Sequence, residues 1–216
     1  MAGMRNLLKL GLVLVMGGAL FAQDAGNANA GKKRVLILGD SITAGYGLEP
    51  GEAYPALLQK KIDAAALPYT VKNAGVSGDT TAGGLRRIDW ALGSEGADVL
   101  VVALGGNDGL RGIAPTQMSK NLAGIIDKAR VKNPQIKVIV AGMQMPENFG
   151  AAFTTEFKAV FPEIAGEKKA ALVDYLLAGV GGDEKLNQPD RIHPTAAGQQ
   201  IIAENVWKVL EGQLVK

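Results

Sequence analysis

Ser41 stands in Gly39-Asp40-Ser41-Ile42-Thr43, directly after the apolar run Val35-Leu36-Ile37-Leu38. A serine at the point where a strand turns into a helix can project its hydroxyl into a cleft, with helix-end N–H groups behind it. Donors so placed suit an oxyanion forming on an attacked carbonyl. The same position also suits a plain helix cap, a role that serine favours. A flavodoxin-like phosphate loop would sit here too, but Asp40 would repel a phosphate and the segment is poor in glycine.

His193 is the only histidine of the chain and lies in Asp190-Arg191-Ile192-His193-Pro194. A serine hydroxyl is a poor nucleophile until a neighbouring base takes its proton, and histidine, titrating near neutral pH, is the usual base. An aspartate three residues earlier in a turn can reach back to the ring and fix its tautomer. Taken alone, such a histidine could as well be an incidental core or surface residue. One histidine with one aspartate offers too few ligands for a zinc site unless distant carboxylates join.

Two further segments carry polar groups suited to an oxyanion. Gly105-Gly106-Asn107-Asp108 follows the apolar run Val99 to Leu104, and Asn107 could donate its amide while the glycines let the backbone come close. Gly78, in Asn73-Ala74-Gly75-Val76-Ser77-Gly78-Asp79, could offer a backbone N–H to the same oxygen. Each is also what an ordinary loop after a strand contains. The segment Gly142 to Gly150 holds Met143, Met145, Pro146 and Phe149, and Leu110 follows Asn107; these could line an acyl groove or simply pack under loops. Residues 175–189 form a glycine-rich loop before the Asp/His turn that could let His193 adjust as substrate enters.

The elements that must position these residues alternate. Continuous apolar runs at Val35–Leu38, Val99–Leu104 and Ile136–Ala141 have the pattern of buried parallel strands. Shorter strands are expected from Val71 to Asn73 and from Ala171 to Val173. Helices are expected over Tyr54–Ala65, Thr80–Leu92, Met118–Ala129 and Thr154–Lys169, the last broken or kinked near Pro162. A final helix is expected to start near Pro194, with Ile201, Ile202, Val206 and Leu210 as its inner face. Five strand–helix alternations predict a doubly wound, three-layer α/β domain with a five-stranded parallel sheet. In such sheets the ligand site lies beyond the carboxyl ends of the strands, where every polar motif above falls.

The 216-residue chain begins with a stretch that reads as a removable export signal over residues 1–22: Arg5 and Lys9, then an apolar run to Phe21, then small Ala22. That run is short of the roughly 20 residues that span a bilayer comfortably. Residues 23–33 read as a flexible leader, and 34–216 suffice for one domain with a substantial core. The chain has 23 Lys+Arg against 21 Asp+Glu; without Arg5 and Lys9 the balance is even. No clustered basic face suggests nucleic acid. With no cysteine, a thiol nucleophile, a Cys-based zinc site and a disulfide are excluded.

Taken together and in this order, the four segments resemble the signature blocks of the SGNH (GDSL-like) hydrolase superfamily. These are GDS for the serine, a later glycine, G-x-N-D for the asparagine and D-x-x-H for the Asp/His pair. The resemblance runs from Arg34 to Leu210. In SGDTTAGGL and LGGNDGLRG it is similar above all to the bacterial periplasmic thioesterase I family, also described as lysophospholipases and arylesterases. It implies that Ser41 is the nucleophile, that the Ser41 N–H, Gly78 and Asn107 form the oxyanion hole, and that His193 is the base with Asp190 its partner. It also implies hydrolysis of acyl esters or thioesters without metal or organic cofactor, and an acyl groove beside the Met143–Phe149 loop. The expected partner is thus a small-molecule acyl ester or thioester, met by a periplasmic or secreted monomer. Deacetylation of envelope polysaccharide or peptidoglycan, and a degenerate binding module of the same fold, are the competing readings.

Overall fold

The computed structural model describes residues 31–214, so the signal read at 1–22 and residues 23–30 of the leader lie outside the described residues. Strand β1 spans Lys33–Gly39, taking in the last residue assigned to the leader, and is followed by the four-residue helix α1, Ser41–Ala44. Then come α2 (Tyr54–Ala64), β2 (Tyr69–Gly75), α3 (Thr81–Leu92), β3 (Val99–Ala103), α4 (Gly106–Leu110) and α5 (Pro115–Lys132). The chain ends with β4 (Lys137–Ala141), α6 (Ala151–Glu167), β5 (Ala171–Val173) and α7 (Ala196–Leu210).

All five strands are parallel, in the order β2-β1-β3-β4-β5. Parallel strands need crossovers, and the helices that supply them cover both faces. Helices α2 and α7 pack together on one, and α3, α5 and α6 form a row on the other. The core between them is aliphatic, with β3 buried along its whole length. This is the doubly wound, three-layer architecture expected. The order reverses between β1 and β3: one connection leaves β1 toward β2, and the next crosses back to β3. Gly39 is in register with both Gly75 and Ala103, so three loops open together at this switch point.

Several boundaries differ from expectation. Strand β2 is seven residues long because it pairs with β1 from Lys33↔Tyr69 to Gly39↔Gly75, although its own composition is weakly apolar. Helix α6 runs unbroken through Pro162. The proline ring faces solvent, while Phe157, Val160, Phe161 and Ile164 anchor the helix in the core on both sides of it. Helix α7 starts at Ala196 rather than Pro194. Thr195 is its cap, accepting from the Gly198 N–H, while Pro194 pairs with Asn187 in an antiparallel bridge. No helix among the described residues is long and apolar enough to cross a membrane.

Candidate active site

The turn out of β1 is tight. A Cβ on Gly39 would overlap the Thr43 side chain, so the position requires glycine. Asp40 caps α1, its Oδ1 accepting from the Ile42 N–H at 3.0 Å. Thr43 bonds the Tyr54 hydroxyl at 2.8 Å, and Gln199 of α7 ties both the Tyr54 N–H and the Ile42 carbonyl. These bonds hold Ser41 at the sheet's carboxyl edge with its N–H in the first turn of a helix, where no helical acceptor exists.

The Asp/His turn meets it from the segment just before α7. His193 Nε2 lies 2.9 Å from Ser41 Oγ, and His193 Nδ1 lies 2.6 Å from Asp190 Oδ2. Asp190 Oδ1 accepts from the backbone N–H groups of Ile192 and His193 at 2.9 and 3.0 Å. The His193 backbone N–H, then the ring bond, then the Ile192 N–H hold the Asp190 carboxyl down at about 2. An ionised carboxylate only accepts, so the ring proton belongs on Nδ1 and Nε2 is left to accept from the serine. Arg191, between the two, has φ of +61°, a backbone strain stored in this turn.

Asn107 stands in the first turn of α4, its Nδ2 donating to Asp40 Oδ2 at 3.3 Å. The next residue fastens that helix. Buried Asp108 accepts from the Thr81 N–H at 2.8 Å and the Thr81 hydroxyl at 2.5 Å, and Asn121 donates to the same hydroxyl at 2.9 Å. Burial raises the Asp108 carboxyl above the usual range. Burial also pushes Asp40 up to about 6, against the opposing pull of the Ile42 N–H and of His193.

Gly78 lies in the loop after β2. Its carbonyl accepts from Arg111 Nη2 at 2.9 Å. Arg87 anchors the neighbourhood through Nε to Asp79 at 2.7 Å, Nη1 to the Ala74 carbonyl at 2.8 Å and Nη2 to the Gly39 carbonyl at 2.9 Å. One guanidinium therefore joins the carboxyl ends of β1 and β2 to the Gly78 loop.

Ser41, Gly78, Asn107 and His193 all face one cavity of about 730 Å³. Leu110, Met143, Met145 and Pro146 line it as well. Phe149 is not among the lining residues: after Pro146 the chain turns away through a 3₁₀ turn, Glu147–Phe149, into α6. Sequence reasoning missed Tyr46, Leu177 and Ile192, which also line the cavity, and the tethers Arg87, Gln188 and Gln199. Tyr46 alone carried a signal, an aromatic between two glycines five residues after Ser41. Among the described residues no group of three or more His, Asp and Glu side chains is arranged to hold a metal ion.

Residues 37–201 match the family described as GDSL-like Lipase/Acylhydrolase. The chain is 43% identical over 182 residues to Esterase TesA of Pseudomonas aeruginosa, covering 84% of this chain and 90% of that one. It is 34% identical over 177 residues to the Thioesterase 1/protease 1/lysophospholipase L1 of Escherichia coli K12, covering 82% and 83%. The crystal structure of TesA superposes with a TM-score of 0.81 at 43% identity, over 84% of this chain and all of that one (100%). The chain therefore belongs to the GDSL-like lipase/acylhydrolase family and is an SGNH-type acyl hydrolase.

Proposed function

We propose that Ser41 attacks the carbonyl of carboxylic esters or thioesters of acyl chains, with His193 as base and Asp190 orienting it. The observation that carries this reading is the connected series Ser41 Oγ, His193 Nε2, His193 Nδ1 and Asp190 Oδ2, at 2.9 and 2.6 Å, on the wall of an apolar-lined cavity. His193 Nε2 takes the serine proton as Oγ bonds to the carbonyl carbon, and ionised Asp190 stabilises the imidazolium. The oxyanion meets the Ser41 and Gly78 N–H groups and the Asn107 amide. The C–O or C–S bond then breaks, and His193 returns the proton to the leaving alkoxide or thiolate. A water, deprotonated by His193, attacks the acyl-enzyme and releases the acid and free Ser41.

The site is assembled for acyl groups larger than acetate: Leu110, Met143, Met145 and Pro146 line the cavity, which supports acyl-chain hydrolysis over removal of sugar acetyl groups. The N-terminal pattern at 1–22 supports export to the periplasm or beyond. The test is labelling by a fluorophosphonate, followed by turnover of p-nitrophenyl esters, an acyl thioester and an acetylated sugar. Ser41-dependent labelling with ester and thioester turnover is expected. Turnover of the acetylated sugar alone would transfer the assignment to deacetylation, and a chain that neither labels nor turns over would be a binding module.

A further inference from the structure

Tyr46 is one of six large apolar or aromatic side chains strongly exposed among the described residues, at 53%. An exposed aromatic with no partner would be unremarkable, but this one has a partner. Its ring centroid lies 4.5 Å from that of His193, with the planes tilted by 37°. His193 is therefore held from two directions, by Asp190 at Nδ1 and by an aromatic face against the ring.

The placement of Tyr46 is built rather than accidental. Its N–H donates to the Ser41 carbonyl at 3.0 Å, which fixes its distance from the nucleophile's own residue. Its carbonyl accepts from Gln188 Nε2 at 2.7 Å. The same Nε2 reaches the Pro194 carbonyl at 3.1 Å, and the Gln188 N–H donates to the His193 carbonyl at 2.7 Å. Gln188 thus clamps the loop bearing Tyr46 to the turn bearing His193. Gly47 makes the clamp possible: its φ is +76°, and a Cβ there would run into the Gln188 amide.

We propose that Tyr46 is a positioning residue for the reaction, acting through His193; the proposal rests on the reading of His193 as the base. Its ring blocks one face of the imidazole, so the ring cannot swing away from Ser41 Oγ. When His193 takes the serine proton, the same ring face stabilises the imidazolium through its quadrupole. No contact with substrate is needed for either effect, so the consequence falls on turnover and not on binding. The phenol oxygen has no part in this, only the ring.

The comparison is wild type against Tyr46→Phe and Tyr46→Ala, with His193→Ala and Ser41→Ala in the same ester assay. Tyr46→Phe should keep kcat within about twofold, and Tyr46→Ala should lower kcat by about tenfold with KM changed by less than about twofold, the range an aromatic face on a cation provides. Fluorophosphonate labelling of Ser41 should slow by a similar factor, since it depends on the same proton transfer. The chain has one histidine, so histidine-selective ¹⁵N labelling reports on this ring alone. Its Nδ1–H signal should be sharp in wild type and Tyr46→Phe and broadened by exchange in Tyr46→Ala. An unchanged kcat and signal in Tyr46→Ala, a change confined to KM, or a Phe variant as slow as Ala would each overturn the proposal. Substantial turnover by His193→Ala would instead overturn the base itself, whatever Tyr46 does.

Discussion

Asp190 holds His193 twice, accepting from its ring Nδ1 at 2.6 Å and from its backbone N–H at 3.0 Å. The double attachment sets both where the turn closes and which ring nitrogen carries the proton. Asp190→Asn separates these two functions. The amide oxygen can still accept from the backbone, but the amide NH₂ facing Nδ1 favours the tautomer whose proton sits on Nε2, facing Ser41. We expect the fold to survive and kcat to fall by roughly 10³–10⁴, as loss of the correct tautomer does in other serine hydrolases. Steady-state ester kinetics beside a melting curve decide it; a variant within tenfold of wild type would mean that Asp190 does not set the tautomer.

Asn107→Ala should lower kcat by roughly 10²–10³ with little change in KM, because an oxyanion donor bonds most strongly once the oxygen is charged. The Asn107 amide is held from behind by Asp40 Oδ2 at 3.3 Å, leaving its second N–H for the cavity. A raised KM at constant kcat would show that Asn107 binds ground-state substrate instead.

Asp40 and Asp190 should give stability opposite pH dependences. Burial keeps the Asp40 carboxyl protonated up to about 6 in the folded chain, against 3.8 as the ordinary value. The unfolded chain releases that proton earlier, so stability should fall as pH rises from about 4 to 6, by on the order of 3 kcal/mol. Asp190, held at about 2, works the other way: its contribution is complete above about 4 and is lost as pH falls toward 2. Urea unfolding of wild type and Asp40→Asn at pH 4 and pH 6.5 tests the first. The wild type should lose stability over that interval relative to Asp40→Asn, and parallel changes in the two proteins would refute the assignment.

The Ser41 and Asn107 segments were legible because each is short, polar and placed directly after an apolar run, and the Asp190–His193 segment because a lone histidine leaves few alternatives for a base. What pairs with what was not legible. Gln199 and Gln188 reach Ile42 and Tyr46 across 157 and 142 residues, and no spacing rule connects amides so far apart. The full length of β2 came from its register with β1, and the continuity of α6 through Pro162 from packing on either side, both tertiary effects that override local propensity. Helices α1 and α4 were hidden for another reason. They are four and five residues long, too short for a periodic apolar face.

The Met143–Phe149 loop gives the sharpest test of substrate range. Met143, Met145 and Pro146 line the cavity with Leu110, whereas Phe149 has passed into the turn before α6. Each methylene of an acyl chain buried against these side chains should contribute up to about 0.8 kcal/mol until the space is full. The value of kcat/KM should therefore climb from acetate to medium chains and then level off. Leu110 is 45% exposed within the lining, so trimming it removes chain contact without opening the core. Leu110→Ala should flatten the climb while leaving acetate turnover near wild type, because Ser41, His193 and Asp190 lie on other loops and Asn107, on the same helix as Leu110, is held through Asp40 and through Asp108 to Thr81. Phe149→Ala should leave the profile unchanged. The measurement is kcat/KM for p-nitrophenyl esters from acetate to palmitate, below micelle-forming concentrations, for the three proteins. A wild-type profile that peaks at acetate would remove the acyl groove altogether, and a profile altered by Phe149→Ala but not by Leu110→Ala would move the groove to the far side of the loop.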